Sequence, residues 1–345
     1  MNIIVLAGGL SPERDVSLSS GLEVRNALRK KGHRAVMIDV FLGIEQPIPS
    51  LDAVFDWDIA YPGGSGISHA APDLAAIRQQ RQDQSPALIG PQVLDLCRAA
   101  DIAFLALHGA IGENGKLQAT LDIFGIPYTG SGSLGSAVAM DKAMSKQLFI
   151  HSNLLTPPAR LIRRGDLIDP ASLTYPCMVK PCSGGSSVGA TLVNEILAMD
   201  AAVSLAFSYE DKILIEDFIK GREFAVAVLG RQALPVIEIL PKGAFFDYVG
   251  KYQADACLEI CPARLEPAIA SRMQALALKA YDALELSVFA RMDFILADNG
   301  DIYLLEANTL PGMTQASLLP KEAAAAGISY PDMCQLIVDY SLAKY

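Results

Sequence analysis

Residues 290–308 read ARMDFILADNGDIYLLEAN. Two apolar runs, Ala290–Ala297 and Asp301–Glu306, flank an Asn299-Gly300 pair, and Asn-Gly between alternating runs is strong hairpin chemistry. In an extended strand, residues two apart share a face. Arg291 and Asp293 therefore project together, as do Glu306 and Asn308. If the strands pair antiparallel, Asp293, Glu306 and Asn308 meet on one surface. Three oxygen-bearing side chains of this kind suit Mg²⁺, which takes few protein oxygens and completes its shell with phosphate oxygens. A solvated face of an amphipathic sheet would read similarly. The apolar spacers and the Pro311-Gly312 turn beyond favour a site.

Working upstream, Met178-Val179-Lys180-Pro181 runs into Ser183–Gly189, a Gly/Ser loop with backbone N–H groups able to fold over phosphates. Lys180 stands at the strand end, where it could meet the phosphate chain. No Gly-Lys-Ser/Thr follows the glycines, so this is not a Walker A loop. Further on, the apolar strand Lys212–Asp217 ends in acids at Glu216 and Asp217, followed by Phe218-Ile219 and Glu223. Such a strand end could offer backbone groups to an adenine and a carboxylate to a ribose, or could be surface acids. Glu13 follows the first strand, where backbone groups and a helix N-terminus can converge on a ligand. His108 precedes Gly109, Lys142 follows Asp141 in a helix, and Lys251-Tyr252 lie in a stretch that could form a mobile lid. Gly130-Ser-Gly132-Ser-Leu-Gly135 matches GxGxxG, but no acid ends a second strand about 20 residues on, as dinucleotide binding requires. Nicotinamide binding is therefore not expected.

The 345 residues are too many for one typical core, and half are hydrophobic, so a folded chain of two or three domains is expected. The net charge of −10 disfavours a nucleic-acid partner. None of the six cysteines forms a CxxC pair, which points to buried thiols in a reducing compartment. The opening MNIIVLAGGL lacks a basic leader, and no apolar run approaches the ~18–20 residues of a membrane span. A cytoplasmic chain is expected. Strands at Ile3–Leu6, Ala35–Val40 and Ile102–Leu107 with a helix from Val16 toward Lys31 predict an N-terminal α/β unit with a parallel sheet. Residues 43–92 read mostly as loop, with one helix near Asp73–Gln82. A helix around Ser136–Ser152 and strands at Cys177–Lys180, Ala190–Val193 and Lys212–Asp217 form a second unit. Strands at Glu223–Leu229 and Leu234–Ile239, a helix around Glu266–Leu284 and the 290–308 hairpin form the last.

In this order, the segments LHGAIGENGKLQ (107–118), VKPCSGGSSVG (179–189), IEDFIKGREF (215–224), ARMDF (290–294) and LLEANTLPGMTQASL (304–318) resemble the ATP-grasp ligases, specifically the D-alanine–D-alanine ligases. The likeness covers about two thirds of the chain. It implies an α/β (α+β overall) three-domain architecture, divided at 1–130, 131–217 and 218–345, with ATP held between the last two domains. It further implies that Lys142 and Lys180 hold the ATP phosphates. Glu216, Phe218 and Ile219 would line the adenine pocket, and Glu223 would meet the ribose. Asp293, Glu306 and Asn308 would bind two Mg²⁺ ions, or Mn²⁺. Lys251 would reach the γ-phosphate from the lid, which Ser186 and Tyr252 would lock through Glu13. Glu13 would also hold the ammonium of the first D-alanine, with His108 nearby. Arg291 and the Gly312 backbone would stabilise the charged oxygen of the intermediate, and Ser317 and Leu318 would position the second D-alanine. The implied assembly is a homodimer. The chain departs from the family at Asn114, where Asp is usual, at Val249-Gly250 in the lid, and in residues 43–92. Tyr252 favours an amine over a hydroxy acid as second substrate. A ligase joining D-alanine to D-serine, and a non-catalytic nucleotide-binding protein, are the alternatives.

Overall fold

Three sheets organise the chain in this computed structural model, which describes residues 1–59, 72–185, 188–241 and 257–345. The N-terminal part runs β1 (Asn2–Ala7), α1 (Arg14–Lys30), β2 (Arg34–Asp39), α2 (Leu74–Gln80), α3 (Val93–Ala99) and β3 (Ile102–Leu105). Its strands lie parallel in the order β2-β1-β3. Ile3, Ile4, Val5 and Leu6 are wholly buried, which is why this strand carries a continuous apolar run and no alternation. Gly8, just past β1, adopts φ +71, and a Cβ there would lie 2.5 Å from Asp39 Oδ2. The turn thus needs glycine both for its backbone and for the close approach of that carboxylate. Between residues 43 and 92 the described part holds only a 3-10 turn (Asp52–Asp56) and α2, capped by Asp73, in keeping with the loop expected there.

Next come α4 (Ala110–Glu113), α5 (Lys116–Ile123), α6 (Ser133–Met140) and α7 (Lys142–His151). The single helix expected around Ser136–Ser152 is therefore two. Asp141 breaks it with an extended backbone, and its carboxylate accepts the N–H groups of Ala143 and Met144, both at 3.1 Å. That is ordinary N-cap chemistry, and it restarts the helix with Lys142 as its first residue.

The second sheet contains β4 (Ala159–Arg163), β5 (Cys177–Pro181), β6 (Thr191–Val193) and β7 (Lys212–Asp217), antiparallel in the order β4-β7-β5-β6. α8 (Met199–Phe207) covers one face, with Met199, Ala202 and Ala206 packed on Cys177, Val179, Ile213 and Ile215. The third sheet runs β11-β10-β8-β12-β13, with β9 beside β8. Its strands are β8 (Gly221–Leu229), β9 (Gln232–Ala233), β10 (Ile237–Pro241), β11 (Cys257–Ile260), β12 (Phe289–Ala297) and β13 (Ile302–Asn308). The strand expected at Leu234–Ile239 starts later, because the chain crosses from β9 to β10 there. α9 (Pro267–Ala283), with Ala139 of α6 and Phe149 of α7, covers one face of this sheet. On the other, Ala227, Leu229 and Phe289 share a core with the N-terminal sheet and with α11 (Tyr330–Leu342). α10 (Leu318–Ala325) lies against β8. All six cysteines are thiols outside any disulfide. No helix among the described residues is long and apolar enough to cross a membrane.

Candidate active site

A cleft of roughly 140 Å³ lies between the second and third sheets. The β12–β13 hairpin forms one wall. Its register sets Arg291 opposite Asn308 and Asp293 opposite Glu306, with an irregularity between Asp293 and Phe294 that leaves Leu305 without a partner in the ladder. Such bulges re-aim side chains beside sites. Arg291 grips Asp293 with two prongs, Nε to Oδ1 at 2.7 Å and Nη2 to Oδ2 at 2.7 Å. Asn308 Nδ2 donates to the same Oδ2 at 3.0 Å. Burial works against the Arg291 charge, but Asp293 outweighs it and raises the guanidinium pKa. Among the described residues no three His, Cys, Asp or Glu side chains gather as a metal cage. The hairpin instead presents two carboxylates and one amide, a sparse oxygen set of the kind Mg²⁺ shares with phosphate.

Lysines form the facing wall. Lys142 Nζ donates to Gly184 O at 2.6 Å and lies 3.3 Å from Glu306 Oε2, so it bridges the glycine loop and the hairpin. Lys180 Nζ lies 2.5 Å from Glu216 Oε2. On its other oxygen, Glu216 pairs with Lys146, whose Nζ also donates to Thr156 Oγ1 at 2.7 Å and Pro157 O at 2.9 Å. Burial opposes the charge on Glu216, yet Lys180 and Lys146 prevail and lower its pKa. Burial likewise opposes the Lys180 charge, and Glu216 and Glu306 overcome it. Lys146 is pushed down to about 8 by burial, with Glu216 pulling the other way. Phe218, Ile219 and Glu223 line the same cleft at the end of β7 and start of β8.

At the N-terminal edge, Glu13 stands at the start of α1 and is buried. A Cβ on Gly185 would sit 2.9 Å from Glu13 Oε2, and one on Gly109 would sit 3.0 Å from it. Glu13 is thus enclosed by the glycine loop and the β3 end. Its loop is tied to Asp39, which accepts the Gly9 N–H at 3.3 Å and pairs with Arg14, while the same carboxylate holds its own turn through the N–H groups of Phe41 at 2.8 Å and Leu42 at 3.0 Å. The His108 ring bonds Leu310 O through Nδ1 at 3.0 Å and faces Ser20 Oγ through Nε2 at 3.3 Å. Burial depresses its pKa against the opposing charge of Glu13, which favours the neutral ring. Glu113 accepts the N–H groups of Gly109 at 2.9 Å and Leu310 at 3.4 Å. His108 and Glu113 thereby hold both backbone groups of Leu310, two residues beyond Asn308. Burial and then Glu13 push Glu113 up to about 8. The 309–317 loop is further tied to α1, with Gln315 N–H donating to Glu23 Oε2 at 2.8 Å. Gly312 lies against Ser317, whose hydroxyl is 2.8 Å from Thr314 Oγ1, and Leu318 opens α10.

Asp293, Glu306, Lys142 and Lys180 therefore line one cleft, with Glu216, Phe218, Ile219 and Glu223 along it, and Arg291 and Asn308 join it through their bonds to Asp293. Glu13, His108, Gly312, Ser317 and Leu318 surround its N-terminal edge. Ser186, Lys251 and Tyr252 lie outside the described residues, as do Val249 and Gly250. Asn114 caps its turn by accepting the Lys116 N–H at 3.1 Å. Gly135 serves packing, since a Cβ there would lie 2.9 Å from Glu285 O. Lys146, Glu113 and the Arg14–Asp39 pair went unread in the sequence. Lys146 had one signal, its position four residues after Lys142 and so on the same helix face.

Residues 2–131 match the family model described as D-ala D-ala ligase N-terminus, and residues 168–339 match D-ala D-ala ligase C-terminus. The D-alanine–D-alanine ligase of Pediococcus pentosaceus is 45% identical over 98% of this chain and 97% of its own length. That of Lacticaseibacillus casei is 40% identical over 100% of this chain and 97% of its own. A crystal structure of the Bacillus anthracis ligase complexed with ATP superposes with a TM-score of 0.76 at 30% identity, covering 100% of this chain and 98% of that one.

Proposed function

This chain belongs to the D-alanine–D-alanine ligase family, and from that premise we propose that it joins two D-alanines at the expense of ATP. The observation that carries the reading is the cleft itself, where Lys142 and Lys180 face the carboxylates of Asp293 and Glu306. A free carboxylate is a poor acyl donor because its leaving group would be oxide. Phosphoryl transfer from ATP converts the first D-alanine to an acylphosphate, and the amine of the second D-alanine then displaces phosphate. Little covalent chemistry is asked of the protein, so catalysis is positioning and charge stabilisation.

In this reading Lys142 and Lys180 hold the phosphates, with Glu216, Phe218 and Ile219 around the adenine and Glu223 at the ribose. Glu13, with neutral His108 beside it, holds the first ammonium. Arg291 and the Gly312 N–H stabilise the developing oxyanion, and Ser317 and Leu318 orient the second carboxylate. Ser186, Lys251 and Tyr252 complete the lid. The hard-oxygen set of Asp293, Glu306 and Asn308 fits two Mg²⁺ ions, or Mn²⁺; when bound, these would neutralise phosphate charge. Arg291 and Lys142 provide counter-charges for Asp293 and Glu306. The division at residues 130 and 217, a cytoplasmic location and a homodimer belong to the same reading.

The test is incubation with ATP, Mg²⁺ and a panel of D-amino acids, following phosphate and identifying the dipeptide by mass. D-Alanine alone should release phosphate and yield the dipeptide. A requirement for D-serine as second substrate would move the assignment within the family, and no phosphate release in any mixture would remove it.

A further inference from the structure

The Lys146–Glu216–Lys180 cluster contains one lysine that none of the roles above uses. Lys146 lies one helical turn beyond Lys142 on α7 and is only 4% exposed. It sits behind the cleft lining, where its ammonium pairs with Glu216 and donates to Thr156 Oγ1 and Pro157 O. Two hydrogen bonds and one ion pair thus surround the ammonium. Glu216 in turn stands between Lys146 and Lys180 and is only 4% exposed. The register pairs Met178 with Glu216, so Lys180 and Glu216 are diagonal neighbours on one face of the second sheet.

Charge counting across this cluster is decisive. A Lys180–Glu216 pair alone is neutral and offers an incoming phosphate no net attraction. With Lys146 included, the group carries one net positive charge, and Lys180 is its cationic member lining the cleft, beside Glu216. We propose that Lys146 is a positioning and charge-balancing residue, which neutralises Glu216 so that the Lys180 charge remains available to a nucleotide phosphate. This rests on the nucleotide-site reading above and extends it to a residue outside the cleft lining. Because the cluster is buried, solvent screens the missing charge poorly.

The test measures dissociation constants for ADP and for inorganic tripolyphosphate, which has no adenine and so does not report on the adenine pocket. Lys146→Met should weaken both by about tenfold or more, the scale of one unit charge at a poorly screened site. The double variant Lys146→Met/Glu216→Gln restores one net positive charge and should recover tripolyphosphate binding to within about threefold of wild type. A merely structural lysine predicts no recovery, since Thr156 and Pro157 lose their donor in both variants. Binding by Lys146→Met within twofold of wild type, or a double variant as weak as the single, overturns the proposal. If Lys146→Met does not fold, Glu216→Gln alone decides: the proposal expects tripolyphosphate binding at least as tight as wild type, and weaker binding overturns it. ADP binding to the wild-type protein checks the nucleotide reading separately, and its absence would retire both.

Discussion

The two walls of the cleft are built in opposite ways. The hairpin wall is local: Asp293, Glu306 and Asn308 come from 16 consecutive residues, and two-residue alternation plus one turn places them. The lysine wall is assembled from afar. Lys142 and Lys146 come from α7, Lys180 from β5 and Glu216 from β7. The hairpin concentrates acid and holds it with Arg291, whereas the lysine wall concentrates base around a buried acid. A cleft with opposed fields of this kind can hold a polyanion on one side and its counter-ions on the other.

The largest effect should come from disturbing the hairpin. Glu306→Gln keeps the shape and removes a carboxylate that would hold metal, so kcat should fall by about 10³-fold while the melting temperature stays near wild type. Chelation of divalent metal should abolish turnover of the wild type. An active Glu306→Gln enzyme would end the metal assignment. Next in size is Lys180→Met on the opposite wall. It removes the lining charge and leaves Glu216 with Lys146 alone. The KM for ATP should rise by about tenfold or more, with a smaller change in the KM for D-alanine. Equal changes in both would mean that the lysine wall acts on the fold as a whole and not on the nucleotide.

The contrast in construction explains what could be read from the sequence. The hairpin was legible because strand period and turn chemistry suffice to bring its residues together. The parallel N-terminal sheet was legible from its buried apolar runs. The break at Asp141 was not, because helical periodicity continues across it and only the cap chemistry reveals it. Lys146, and with it the pairing that buries Glu216, escaped for a different reason. Whether a lysine is buried against a distant glutamate depends on how α7 docks beside the second sheet, and no local pattern encodes that docking. Glu113 likewise acquires its role only when β3 meets the 309–317 loop.

The smallest expected effect compares two buried glutamates, one behind each wall. Glu216 has two lysines and is held ionised. Glu322 of α10 is equally buried, but its Oε1 accepts the Ala227 N–H at 2.8 Å and its Oε2 has no hydrogen-bond partner among the described residues. Burial therefore raises its pKa well above the ordinary carboxylate value. The linkage sign follows from the proton count. A group that holds its proton more tightly folded than unfolded contributes stability in full below its unfolded pKa, near 4.5, and loses that contribution as pH rises through the folded value. Wild-type stability should thus decline from pH 5 upward more than that of Glu322→Gln, which keeps the acceptor for Ala227 but cannot ionise. Urea or thermal melts of the two proteins across pH 5–8 should diverge by about 1 kcal/mol or more, since each pH unit spent between the two pKa values costs about 1.4 kcal/mol. Parallel curves would show that Glu322 ionises as freely as Glu216, and the difference between the two walls would then lie in their surface charges alone.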